Sequence, residues 1–254
     1  MTGGQFWPLA KRSVIRTLRQ PPLILPSFLF PLFMLAVVGS GGSDVTEVEG
    51  FPTDSYITFI LGATMVQGAS GAATMAGTNL GKDIGTGFLN RLALTPMQTS
   101  TLILANLAGV AVLGAAQAAI YLGVGLLAGA SIEAGVAGAL AIVGVAVLLV
   151  LAFAALGSLA AVVARSGEQI QGLVSVVLAL LFMSSMLIPR NLIESDWFKT
   201  IATYNPLSYF VEAPRSLFVD GWDAEALALG CGLALLCVFG CLAIAVSRLR
   251  RSVV

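Results

Sequence analysis

Residues 135–164 read GVAGALAIVGVAVLLVLAFAALGSLAAVVA, a run of thirty residues without a charged side chain. An α-helix rises about 1.5 Å per residue, so about 20 apolar residues cross the hydrocarbon core of a bilayer. This stretch therefore predicts a membrane-spanning helix. The same criterion applied to the whole chain predicts six spans, at about 23–40, 55–80, 98–130, 135–164, 170–189 and 225–247.

The composition agrees with a chain whose solvent is largely lipid. Of its 254 residues, 57% are hydrophobic and 10% are charged, whereas soluble domains carry about 25% charged residues. The net charge is zero and there is no histidine, so a basic nucleic-acid-binding face and imidazole-based metal or catalytic sites are excluded. We predict an all-α integral membrane protein with one transmembrane domain over 1–254, no metal and no bound cofactor.

The charges separate by sign when they are assigned to the segments between the predicted spans. Ten of the 13 basic residues lie in the N-terminal segment, the second-to-third and fourth-to-fifth connections, and the tail. Eleven of the 13 acidic residues lie in the alternate connections. The positive-inside rule then predicts a multi-pass protein of the plasma membrane with both termini in the cytoplasm.

The predicted spans have no ionisable residue in their central parts. Ion-coupled transporters and intramembrane enzymes usually need such groups, so neither class is favoured. The closest approach to a phosphate-binding loop is 76–83, where Ala76 replaces the first glycine and Asp83 replaces the serine or threonine. The chain is therefore not expected to be an enzyme, and energy for any transport would come from another polypeptide.

Two polar elements are predicted on the cytoplasmic side. Residues 5–20 form an amphipathic interfacial helix whose arginines are expected to contact anionic lipid. Segment 81–97 is too polar to span, yet Ile84, Phe88 and Leu92 recur every four residues and form an apolar stripe on a short helix. Such a stripe favours a surface that docks on a partner, or an ordinary turn that lies on the membrane.

Two motifs resemble the permease subunits of type-2 ABC exporters, close to the daunorubicin-resistance group. The first is the tip Lys82-Asp83-Ile84-Gly85-Thr86-Gly87-Phe88-Leu89-Asn90-Arg91-Leu92, which is followed by Thr95-Pro96. The second is Asn205-Pro206-Leu207-Ser208-Tyr209, followed by Val211-Glu212-Ala213-Pro214-Arg215. The layout of interfacial helix and six spans resembles the same family over nearly the whole chain.

The resemblance implies that 81–97 is a coupling helix that inserts into a separate ATPase subunit. Its coupling residues would be Asp83, Ile84, Gly85, Thr86, Phe88, Leu89, Arg91 and Leu92. It further implies two ATPase copies, which carry the ATP and Mg, and a second permease, identical or related.

The resemblance also implies that 190–222 forms short re-entrant helices between spans five and six. Here Pro189, Asn205-Pro206 and Pro214 are expected to break helices. Asn205, Pro206, Tyr209, Glu212 and Arg215 are expected to act structurally, and Glu212 and Arg215 have the spacing of a local ion pair.

In this family the second and fifth spans flank the transport pathway. In span two the candidates are Gln67, Thr74 and Thr78, and in span five they are Ser175, Phe182, Ser185 and Met186. Small and polar residues also serve tight helix packing in lipid, so that alternative stays open.

The expected function is ATP-driven export of a hydrophobic or amphipathic small molecule, a drug or a lipid. The alternatives are a non-transporting membrane scaffold or assembly protein, and export of a polysaccharide.

Overall fold

The computed structural model describes residues 3–86, 99–163 and 167–252, where helices joined by turns make up the backbone without a strand. The predicted all-α class is confirmed. Short 3-10 turns occupy Ser43–Glu47 and Arg190–Leu192. In chain order the α-helices are α1 (Gly3–Leu18), α2 (Pro21–Gly41), α3 (Tyr56–Gly85), α4 (Thr99–Leu127), α5 (Gly135–Val163), α6 (Gly167–Phe182), α7 (Asp196–Tyr204), α8 (Pro206–Val219) and α9 (Ala224–Ser252).

Among the described residues, four helices are long and apolar enough to cross a membrane: α2, α4, α5 and α9. The other two predicted spans coincide with α3 and α6, which do not meet that criterion. Helix α3 has 30 residues but carries polar side chains along its length, and α6 is apolar but has only 16 residues.

Helix α3 lies at the centre of the bundle and packs against α2, α4, α5, α6 and α8. Most of its side chains are buried, including the polar Gln67, Ser70 and Asn79. Because neighbouring helices enclose α3, its polar groups are kept away from lipid. This enclosure explains how a helix of low apolar character fits among four strongly apolar ones.

Two glycine contacts bring the neighbouring helices close to α3. A Cβ atom at Gly62 would lie 2.9 Å from both the backbone nitrogen of Arg215 and the carbonyl oxygen of Val211 on α8. On α5, a Cβ atom at Gly157 would overlap the Ala73 carbonyl group. Glycine at these two positions therefore sets the separation of the helices, as small residues do at helix interfaces in membranes.

Helix α1 packs on α4 through a face of small residues, Ala10, Ser13 and Thr17, all of which are buried. The Ser13 hydroxyl donates a hydrogen bond of 3.1 Å to the Asn106 carbonyl oxygen. The large apolar side chains of α1 point away from the protein and are exposed: Trp7, Ile15 and Leu18. The amphipathic pattern thus has its small-residue side on the bundle and its apolar side outward.

The segment after α6 contains the two short helices α7 and α8. The predicted break at Asn205-Pro206 is present, because α7 ends at Tyr204 and α8 begins at Pro206. The expected break at Pro214 is wrong, because α8 continues through it to Val219. Pro214 is buried, and the packing of α8 against α3, α5 and α9 holds the helix despite the hydrogen bond that proline cannot make.

The contact at Gly157 gives a direct test of the packing of α3. We expect Gly157→Ala to lower the free energy of unfolding by about 1–3 kcal/mol, because the added methyl group forces α5 away from α3. The measurement is the midpoint of thermal unfolding in detergent. Gly144→Ala is the matched control on the same helix, since no atom of the described residues lies within 4 Å of a Cβ atom there. Equal midpoints for the two variants would contradict the close approach.

Candidate functional site

A cavity of about 300 Å³ lies between α2, α3 and α6. Helix α3 contributes Gln67, Ser70, Gly71 and Thr74, which lie along one side of that helix. Of the three pathway residues predicted on span two, Gln67 and Thr74 line this cavity, whereas Thr78 is half-buried and is not among its walls. The part of the predicted polar stripe before Thr78 thus faces an open space.

The α6 wall of the cavity consists of Gln171, Val174 and Leu178, which recur at intervals of three and four residues. The predicted pathway residues Ser175 and Phe182 lie on an exposed face of α6 and do not line the cavity. The Ser175 hydroxyl donates to the Gln171 carbonyl oxygen of its own helix, at 3.2 Å. Ser175 and Phe182 are therefore not part of the cavity wall, although each follows a wall residue by four positions and so lies near the same side of α6.

The α2 wall was missed at the sequence level. It contains Pro22, Pro26 and Phe30, which are spaced by four residues and therefore share one helix face. On the same wall, the Ser27 hydroxyl donates a hydrogen bond to the Ile24 carbonyl oxygen. The Ser27 carbonyl oxygen accepts hydrogen bonds from the side chains of Gln117 and Tyr121. The four-residue spacing of the prolines and Phe30 was the available signal for this wall.

Ser185 and Met186 belong to a separate group of residues, which we call the Arg215 cluster (Phe59, Ser185, Met186, Arg190, Tyr209, Glu212 and Arg215). Buried Arg215 donates to the carbonyl oxygens of Phe59 at 3.0 Å, Ser185 at 2.8 Å and Met186 at 2.8 Å. Its guanidinium carbon lies 3.7 Å from the centre of the Phe59 ring. Arg215 therefore joins α8 to the start of α3 and to the turn after α6, and the prediction that Ser185 and Met186 face the pathway is not supported by these contacts.

Glu212 pairs with Arg190, not with the predicted partner Arg215. The Arg190 Nε and Glu212 Oε1 atoms are 2.7 Å apart, and the Ser185 hydroxyl donates to the same carboxylate oxygen at 2.7 Å. The guanidinium of Arg190 also lies over the Tyr209 ring, 4.5 Å from its centre. The Nε, Nη1 and Nη2 atoms of Arg215 all donate to backbone carbonyl oxygens, whereas Arg190 supplies the hydrogen bond to the Glu212 carboxylate.

The remaining residues of the second motif fix the start of α8. The Asn205 side chain caps α8 by accepting from the Leu207 backbone N–H at 3.0 Å, and it donates to the Leu180 carbonyl oxygen at 2.6 Å. Pro206 occupies the first turn, where its missing N–H is not needed. The Tyr209 hydroxyl donates to the Thr203 carbonyl oxygen of α7 at 3.0 Å. At the other end of α8, burial raises the pKa of Asp220.

Asp83, in the last turn of α3, forms an ion pair with α1. Its Oδ1 atom lies 2.8 Å from Arg16 Nη1 and 3.7 Å from Arg12 Nη2. Arg16 also donates to the Asn79 carbonyl oxygen at 3.1 Å, and Gln20 donates to the Asn79 side chain at 2.8 Å. The expectation that the arginines of α1 contact lipid is thus wrong for Arg16, because a carboxylate on α3 pairs with it inside the protein.

Only the first part of the predicted coupling segment can be located. Helix α3 ends at Gly85, after Ile84, and the Thr86 hydroxyl donates back to the Lys82 carbonyl oxygen at 2.8 Å. Ile84 is half-buried, whereas Gly85 and Thr86 are exposed. Phe88, Leu89, Arg91 and Leu92 lie outside the described residues.

Membrane-length apolar helices around an enclosed polar helix define a helical membrane protein. The sequence model described as ABC-2 type transporter matches residues 4–219, which include the cavity, the Arg215 cluster and the Arg16–Asp83 pair. The chain belongs to the ABC-2 type transporter family. Its members are transmembrane permease components, typically not themselves catalytic, and the family implies an ABC ATPase as partner. A search of curated proteins gives no match.

The Arg16–Asp83 pair can be tested by a double-mutant cycle. We expect Arg16→Gln and Asp83→Asn to be coupled by about 1 kcal/mol in the free energy of unfolding, because both side chains are largely shielded from water. The measurement is unfolding of the single and double variants in detergent. Arg19→Gln, at an exposed position directly after the same helix, is the control and should add to Asp83→Asn without coupling. Additive effects for Arg16 and Asp83 would contradict the pairing.

Proposed function

We propose that the chain is the permease subunit of an ABC exporter of the daunorubicin-resistance type, which moves a hydrophobic or amphipathic small molecule outward by alternating access. The observation that carries this proposal is the cavity beside the enclosed polar helix α3. Its walls contain no ionisable residue among those described. A site of this kind favours an uncharged surface of the cargo, because a charge buried there would lack a partner.

A six-span topology is part of the proposal, with α3 and α6 crossing the membrane alongside α2, α4, α5 and α9. The enclosure of α3 supports its crossing, since a helix shielded by protein does not need an apolar surface. Turns at residues 183–188 follow the end of α6 at Phe182. The chain from Gly167 to Arg190 is therefore longer than α6 alone. The partition of charges supports cytoplasmic termini in the plasma membrane, with α7 and α8 re-entering from the outer side.

The proposed working assembly contains two permeases and two ATPase subunits, with ATP and Mg bound by the ATPases. Closure of the ATPase pair would move the 81–97 segment and, through α3, change which side of the membrane the cavity faces. Helix α3 runs without interruption from the Arg215 cluster to Gly85, so a displacement at its end is carried along one helix. The second permease is a copy of this chain or a related one.

The lining of the cavity favours a drug or a lipid over a polysaccharide. Sugars bind well to aromatic faces, and among the described wall residues Phe30 is the aromatic one. The remaining walls are aliphatic, proline or small polar side chains. A scaffold without transport activity needs no cavity of this size, which makes it the weaker alternative.

The test of the proposal uses the permease and its ATPase reconstituted together in vesicles. We expect Phe88→Ala and Leu92→Ala to weaken binding of the ATPase by about 2 kcal/mol each, because each removes an apolar side chain of the proposed docking stripe. The measurements are co-purification, ATP turnover and ATP-driven movement of a fluorescent amphipathic dye.

Lys199→Ala is the control for these variants, since Lys199 is exposed on α7, far along the chain from the coupling segment. It should leave assembly, turnover and dye movement unchanged. Unchanged assembly and turnover in Phe88→Ala and Leu92→Ala would contradict the coupling role. Absence of ATP-driven dye movement in the unaltered complex would favour the scaffold.

A further inference from the structure

Among the described residues that line the cavity between α2, α3 and α6, one has a buried polar side-chain atom without a hydrogen-bond partner. Gln67 is 5% exposed and lines the cavity, and its Nε2 atom finds no acceptor among the described residues. A buried N–H donor left unpaired costs about 1–3 kcal/mol. A molecule in the cavity that supplies an acceptor would recover that cost.

Two serine hydroxyl groups of the cavity wall already donate to backbone carbonyl oxygens. Ser70 Oγ donates to the Gln67 carbonyl oxygen at 2.6 Å, and Ser27 Oγ donates to that of Ile24 at 2.8 Å. Across the cavity, Gln171 is exposed, so its amide is not buried as that of Gln67 is. Gln67 is therefore the wall residue whose buried amide gains most from an incoming acceptor.

The size and lining of the cavity restrict the molecule further. About 300 Å³ lies at the lower end of the range of small-molecule sites. The apolar walls, with Pro26, Phe30, Val174 and Leu178, suit a compact apolar body. Because no described wall residue is ionisable, a charged group there would have no counter-charge.

We infer that this cavity binds an uncharged molecule with an apolar body and a carbonyl or ether oxygen, and that the Gln67 amide donates a hydrogen bond to that oxygen. The Nε2 atom is buried in this structure, and rotation of the amide about χ3 turns the NH₂ group toward the cavity for this contact. The inference rests on the proposed function in one respect, that the bound molecule is taken to be of the transported class. In this arrangement Gln67 recognises the oxygen of the bound molecule, and the apolar walls contact its apolar body.

Benzophenone is a suitable probe, because it is uncharged, carries one carbonyl oxygen and reacts under ultraviolet light with nearby C–H bonds. The complex of permease and ATPase in lipid nanodiscs is irradiated with subsaturating benzophenone, and adducts are mapped by mass spectrometry. We expect adducts on the α2 and α6 walls, at Phe30 and Leu178. Excess diphenylmethane, which has the same skeleton without the carbonyl oxygen, should compete poorly.

Gln67→Met keeps the side-chain length and removes the donor. We expect it to lower the adduct yield at Phe30 and Leu178 about tenfold, the effect of one hydrogen bond. Adducts at Phe239, an exposed side chain on α9, report benzophenone dissolved in lipid and should not change. Gln67→Asn, which restores an amide, should recover part of the yield at the cavity walls.

Equal wall adducts in the unaltered protein and Gln67→Met would overturn the inference, as would efficient competition by diphenylmethane. A parallel fall at Phe239 would also overturn it, because the change would then not be specific to the cavity. ATP-driven dye movement without Gln67-dependent adducts would refute this inference and leave the proposed export intact. Gln67-dependent adducts without ATP-driven movement would support the binding site and refute the export.

Discussion

Helix α3 is enclosed by other helices, and the arrangement of the bundle follows from that enclosure. A helix that carries Gln67, Ser70 and Asn79 cannot face lipid at low cost, because unpaired polar groups in hydrocarbon are penalised. Five other helices therefore pack around it, and glycines at positions 62 and 157 let two of them come close. The four strongly apolar helices α2, α4, α5 and α9 supply the apolar surface that suits lipid.

Arginine side chains from other helices hold both ends of α3. Near its start, Arg215 of α8 donates to the Phe59 carbonyl oxygen and covers the Phe59 ring. In its last turn, Asp83 pairs with Arg16 of α1. The cavity lies between these two attachments, beside Gln67 and Thr74. In the proposed mechanism, a movement at the Asp83 end reaches the cavity along a single helix.

The helical class followed from hydropathy and the break at Asn205-Pro206 from proline chemistry. The expectation that Gln67 and Thr74 line an open space rested on the resemblance to the family together with their helical spacing. Other features depend on contacts between distant residues that no local pattern contains. Glu212 pairs with Arg190 and not with the predicted Arg215. Arg215 instead donates to three backbone carbonyl oxygens that belong to distant parts of the chain. Likewise, Arg16 had the position of a lipid-facing residue on α1, and its carboxylate partner lies 67 residues away.

Thiol labelling at position 74 in the complex with the ATPase tests whether α3 borders a pathway of alternating access. Thr74→Cys is made in a chain whose Cys231, Cys237 and Cys241 are alanine, and Ala152→Cys, fully buried on α5, is the control. An impermeant maleimide should label position 74 from the cytoplasmic side without nucleotide and from the outer side with ATP and vanadate. Labelling from the same single side in both states, or from neither side, would show that α3 does not border such a pathway.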